Sequence, residues 1–133
     1  PSYMQGTSMR AMLRGETPED WDQLAYHRYW MHNDEIHEAW AHYGVRDERY
    51  KLIYWYNKAL GQDGARENDA PPEWELFDCE KDPMELFNVA NDPAYGEIFK
   101  TMLEKLDAKQ ADIGDVPEHD SVEVLASLSA KSG

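Results

Sequence analysis

Residues 40–56 read WAHYGVRDERYKLIYWY, and the alternation inside this stretch decides the fold. Two runs of aromatic and β-branched residues flank Asp47-Glu48, a polar pair that suits a reversal between antiparallel strands. In the first run Ala41, Tyr43 and Val45 alternate with Trp40, His42, Gly44 and Arg46. In the second, Tyr50, Leu52, Tyr54 and Tyr56 alternate with Lys51, Ile53 and Trp55. Side chains on a strand point to opposite faces in turn, so each run gives one face to a core and leaves another over. The left-over face of the first run carries His42 and Arg46, a titratable ring and a permanent cation. Such a face can line an anion-binding cleft, but the commoner fate of residues of this kind is a plain solvent face.

Outward from this hairpin, Leu24 to Met31 (LAYHRYWM) reads as a preceding strand, followed by a polar loop from His32 to Glu38. Further upstream, Thr7 or Ser8 is placed to cap a short helix through Met9, Met12 and Leu13, stopped near Gly15. Glu16 to Asp22, with Thr17-Pro18 inside, has the composition of a linker. Downstream, Asn57 to Pro72 lacks apolar periodicity and reads as a long, mobile excursion. Trp74 to Asp78 (WELFD) alternates cleanly as a further strand, and DPMELFNVANDP is a compact set of turn signals. From Pro93 the spacing becomes helical: Tyr95, Ile98, Phe99, Met102, Leu103 and Leu106 form one apolar stripe. Asp92 suits the N-cap, Pro93 the first turn and Gly114 the stop. A stripe of this kind is core packing far more often than a cofactor site. The tail after Asp115 carries only weak patterning, with Val122, Leu125 and Leu128 enough for one or two helical turns. The expected fold is α+β: a small antiparallel sheet of about four strands with a long C-terminal helix packed across it.

Composition narrows the function. The chain has 133 residues, with 27 acidic against 13 basic side chains and a formal net charge of -14. That length suits one domain, and that charge repels nucleic acid and anionic membranes where the basic residues are scattered, as they are here. No apolar run approaches the ~20 residues of a membrane span. Cys79, the single cysteine, excludes an internal disulfide and a cysteine-built zinc site, and reads as inert packing. His27, His32, His37, His42 and His119 are the candidates for a metal site or a general base. The five-residue spacing of His32, His37 and His42 matches neither helix nor strand facing, and no His-Glu-x-x-His or glycine-rich phosphate loop is present. Asp78, Asp82 and Glu85 read as caps and Asx-turns rather than a calcium loop. These residues do not amount to a complete active site. The opening, PSYMQGTSMRAMLRG, reads like the middle of a longer protein.

Three ordered stretches together resemble one family. MQGTSMRAMLRGETPEDW, HYGVRDERYKLIYWY and WELFDCEKDPMELFNVANDPAY are similar to the C-terminal subdomain of the formylglycine-dependent sulfatases, in the alkaline-phosphatase-like superfamily. The resemblance covers about residues 4 to 114. It implies residues 1–21 as the junction to an N-terminal catalytic domain, 22–114 as the subdomain and 115–133 as a weakly structured tail. It also implies a parent that hydrolyses sulfate esters with Ca²⁺ and a formylglycine made from a Cys-x-Pro-x-Arg type motif. Cys79 begins Cys-Glu-Lys-Asp-Pro and does not match that motif, so both groups are expected in the catalytic domain and no catalytic or metal residue in this chain. The implied partners are that domain and a sulfated small molecule or saccharide. His42 is then expected as a hydrogen-bond donor at the pocket rim, with Arg46 holding anionic oxygens and Trp40 stacking on a ring; Arg46 has a structural alternative, an ion pair with Asp47 or Glu48. Periplasmic, secreted and cytoplasmic locations all stay open, as does the choice among sugar, glycosaminoglycan, aryl and choline esters. The competing reading is an independent interaction module of the same fold, and an exposed apolar patch separates the two, since a free monomer keeps such patches small.

Overall fold

The computed structural model describes Met4 and residues 6–131. Four strands, β1 (Ala25–Tyr29), β2 (His42–Arg46), β3 (Tyr50–Trp55) and β4 (Glu73–Asp78), pair antiparallel in the order β1-β2-β3-β4. A helix, α1 (Gly96–Ile113), crosses one face, and a second, α2 (Ser121–Lys131), follows it. The fold is the expected α+β arrangement. The alternation read from the sequence sets the two faces: Ala41, Tyr43, Val45, Leu52, Tyr54, Tyr56 and Leu76 are buried against Phe99, Met102, Leu103 and Leu106 of α1. Burying such side chains stabilises by about 1.5–3 kcal/mol each, offset by the entropy of ordering them. Asp92 accepts from the Ala94 amide over a 3-10 turn, Pro93–Tyr95, that leads into α1, and Gly114 ends the helix in the left-handed conformation at φ 71°.

The reversal between β2 and β3 lies one residue later than Asp47-Glu48. The Asp47 amide donates to the Tyr50 carbonyl at 3.0 Å, and Asp47 Oδ1 accepts from the Arg49 and Tyr50 amides at 2.9 and 2.6 Å. Glu48-Arg49 is therefore the loop, and the Asp47 side chain builds it as an Asx-turn. Arg49 then reaches the buried carboxylate of Asp78 through Nε at 2.9 Å and Nη2 at 2.8 Å. This two-pronged pair holds the Asp78 carboxyl well below the usual carboxylate range and ties the hairpin tip to the end of β4. Asp82 accepts from the Phe87 amide as a turn residue should. Glu85 is instead an ion-pair partner of Lys51 at 2.6 Å. Asn88 lies along the outer edge of β4, accepting from the Leu76 amide at 3.1 Å and donating to the Trp74 carbonyl at 3.0 Å. Its amide side chain supplies the hydrogen bonds a further strand would make.

Three elements differ from the sequence reading. The first strand is shorter, Ala25–Tyr29, because the chain turns after it: the His32 amide donates to the Trp30 carbonyl at 2.9 Å and the Asp34 amide to the Met31 carbonyl at 3.2 Å, and the Tyr29 hydroxyl donates to Asp34. The N-terminal helix is one 3-10 turn, Met12–Arg14, capped by neither Thr7 nor Ser8. Its apolar side chains bury nothing, and a short helix without packing has little to stabilise it. The tail is laced to the core. Arg28 Nη1 bonds Asp115 Oδ1 at 2.7 Å and the Val116 carbonyl at 2.9 Å, and the Tyr26 hydroxyl donates to Asp115. The Tyr43 hydroxyl accepts from the Glu118 amide at 2.9 Å and meets His119 Nδ1 at 2.6 Å, while His119 Nε2 donates to Asp107 at 2.9 Å. The helix α2 then packs Val124, Leu125 and Leu128 on the core.

Candidate functional site

The face of the sheet opposite α1 carries His27 and Tyr29 from β1, His42, Gly44 and Arg46 from β2, Lys51, Ile53 and Trp55 from β3, and Glu75 and Phe77 from β4. The registers set Tyr29 and Trp55 on either side of His42. Gly44 makes the cluster possible: a Cβ there would come within 3.0 Å of the His27 ring and 2.3 Å of the Leu52 carbonyl oxygen. With that space free, the His27 and His42 rings meet edge-on at 5.3 Å, Tyr29 stacks on His42 at 5.7 Å, and Trp55 tilts against it at 4.3 Å. Trp55 Nε1 donates to Glu75 Oε2 at 2.7 Å. The cluster is half-buried.

Its electrostatics follow from that burial. Desolvation pushes the His27 imidazole down to about 4, assisted by His42 and Lys51 nearby. Burial lowers His42 as well, against the opposing pull of its bond to the Trp40 carbonyl and of Glu75. His42 Nδ1 lies 2.7 Å from the Trp40 carbonyl oxygen, which can only accept, so the proton sits on Nδ1 and Nε2 carries a lone pair. In its neutral form His42 therefore accepts at Nε2; it donates there only when protonated.

The three residues expected at the site do not all meet. His42 is central to the cluster. Arg46 shares its face but stands at the other end of β2, roughly 13 Å away at the usual rise per residue. It is 51% exposed and pairs with Glu85 at 3.6 Å; Asp47, one of its expected partners, binds Lys105 at 2.5 Å instead. Trp40 gives its carbonyl to His42, while its ring packs edge-on against the buried His32 at 5.0 Å. Among the other histidines, His32 accepts from the Ala41 amide at 3.2 Å, His37 faces Asp34, and His119 braces the tail. The sequence names His27 only as a candidate metal ligand or general base and Trp55 only as an outward residue of its run; that these two meet Tyr29 and Glu75 around His42 was not read from it, although alternation on adjoining strands is a usable signal.

Residues 1–112 match the family described as N-sulphoglucosamine sulphohydrolase, C-terminal. The chain belongs to this family. Two curated relatives agree with that placement in the sulfatase C-terminal family. An N-acetylglucosamine-6-O-sulfatase of Bacteroides thetaiotaomicron is 32% identical over 117 residues, 86% of this chain and 19% of that protein. An ulvan-active sulfatase of Formosa agariphila is 42% identical over 60 residues, 43% of this chain and 10% of that protein. A solved structure in complex with its substrate, D-glucosamine-2-N,6-O-disulfate, superposes with TM-score 0.72 at 32% identity, covering 86% of this chain and 21% of the other. The phosphonate monoester hydrolase of Agrobacterium radiobacter superposes with TM-score 0.56 at 28% identity, covering 81% of this chain and 21% of the other. The chain thus spans about a fifth of the length of the first sulfatase it matches.

The cofactors that the sulfatase resemblance implies do not fit the residues present. Cys79 lies in Cys-Glu-Lys-Asp-Pro, its thiol 3.8 Å from Glu85 and pushed up by burial, the reverse of an activated sulfur. Among the described residues no group of three or more His, Cys, Asp or Glu side chains could hold a metal ion. No helix among them is long and apolar enough to cross a membrane.

Proposed function

We propose that this chain is the accessory subdomain of a sulfatase, whose outer sheet face borders the pocket of a larger catalytic domain and meets a sulfated saccharide there. The observation that carries this reading is the match itself: 86% of the chain aligns with 19% of an N-acetylglucosamine-6-O-sulfatase. In this reading residues 1–21 form the junction and 22–114 the subdomain, and calcium and formylglycine belong to the catalytic domain. His42 and the face around it line the pocket, with Trp40 at its margin and Arg46 at the far end. The sulfated glucosamine bound by the solved relative supports an amino-sugar sulfate as the substrate class.

Exposed apolar side chains favour the accessory subdomain over a free-standing module. In the turn after β4, Met84, Leu86 and Phe87 are 75%, 70% and 69% exposed. Three large apolar side chains within four residues suit a surface that another domain covers. The purified 133-residue chain should show no turnover of an aryl sulfate or of N-acetylglucosamine-6-O-sulfate, with or without calcium. Metal-dependent hydrolysis that survives repurification and scales with the chain would overturn the proposal.

A further inference from the structure

We infer that the His27–Tyr29–His42–Trp55–Glu75 cluster binds the uncharged, hydroxyl-bearing face of a sugar ring and not its sulfate group. This deepens the saccharide reading above and rests on it for the class of ligand. The inference comes from which atoms are left to bind. The Nδ1 proton of His42 is committed to the Trp40 carbonyl at 2.7 Å, so the free ring nitrogen offers a lone pair. Glu75 uses Oε2 to accept from Trp55 Nε1 at 2.7 Å, and a carboxylate has further acceptor capacity at Oε1. Both are acceptors, and one is an anion. A sulfate, which has only acceptor oxygens, meets no complementary atom at either; a sugar hydroxyl meets one at both. The Trp55 ring, held by Glu75 and seated 4.3 Å from His42, is the apolar platform that a pyranose C–H face requires. The cations of this face, Lys51 and Arg46, lean toward Glu85, at 2.6 and 3.6 Å, and neither is hydrogen-bonded to a ring of the cluster. Burial lowers both His27 and His42, so neither ring presents a positive charge to an anion near pH 7.

The test uses the 133-residue chain and two probes, unsulfated N-acetylglucosamine and sodium sulfate, followed through the Trp55 indole and His42 imidazole resonances. The sugar should shift both saturably at millimolar concentration, while sulfate at matched ionic strength should leave them in place. Glu75→Gln keeps an acceptor for Trp55 but removes the charge, and it should weaken the sugar about threefold to tenfold with the amide spectrum otherwise intact. His42→Phe, which keeps the ring packing, should do the same if Glu75→Gln perturbs the fold. Saturable sulfate shifts without sugar shifts, or no shift from either probe at ~100 mM, roughly the weakest affinity a platform with two hydrogen bonds should give, overturns the inference. Sugar binding by a chain that turns out to accompany no sulfatase would overturn the functional proposal and leave this one standing.

Discussion

Replacing His119 by alanine tests how the segment after α1 is fixed. The His119 ring is enclosed by Tyr43, Tyr54 and Trp74, with centroids at 5.7, 5.4 and 5.2 Å. It also joins the Tyr43 hydroxyl at 2.6 Å to Asp107 at 2.9 Å. Truncation leaves a ring-sized void among aromatic side chains, for which core truncations suggest about 2–3 kcal/mol. The Tyr43 hydroxyl keeps the Glu118 amide as its donor but loses its own acceptor, adding about 1 kcal/mol. Asp107 is partly exposed and keeps Ser121 as a donor at 2.7 Å, so its loss adds little. The expected destabilisation is about 3–4 kcal/mol in total. Urea unfolding followed by tryptophan fluorescence gives the global value, and amide exchange across α2 shows whether the helix detaches first. A loss below about 0.5 kcal/mol with α2 protection unchanged would refute the reasoning, because a surface substitution costs no more than that.

Leu106, fully buried between α1 and the sheet, should cost about 2–5 kcal/mol as Leu106→Ala, and Leu103→Ala should be similar; chemical denaturation reads both. His27 gives a pH signature. Its folded value of about 4 lies below the ordinary 6.5, so the unfolded chain binds the extra proton between them. Its contribution is therefore present above pH 6.5 and lost as pH falls toward 4, and His27→Gln should flatten the melting temperature over that window. An unaltered profile in the variant would mean that His27 is not desolvated.

Much of this architecture was legible because period and burial agree. Tyr43, Val45, Leu52 and Tyr54 alternate in sequence and lie on the buried face, and the stripe from Phe99 to Leu106 is buried as its spacing requires. The site was less legible, for a reason of register. A reversal at Asp47-Glu48 would set His42 opposite Ile53; the Asx-turn built by Asp47 moves the loop one residue on and sets it opposite Trp55. The shift of two leaves every side chain on its own face, so the core came out right while the neighbours of His42 did not. Arg46 and His42 do share a face, but a shared face is not proximity when four residues separate them. The tail defeated pattern reading because polar groups hold it: Arg28, Tyr26, Tyr43 and His119 act across about 76 to 90 residues of sequence, beyond any local period.

The most direct test of the central claim joins this chain to a sulfatase catalytic domain and measures kcat/KM toward a 6-O-sulfated N-acetylglucosamine, with and without His42→Ala. If the outer face borders the pocket, the substitution should lower kcat/KM about tenfold, the equivalent of about 1.4 kcal/mol, in a protein that remains folded at the assay temperature. Unchanged kinetics in a protein that melts earlier would make His42 a packing residue and contradict the account.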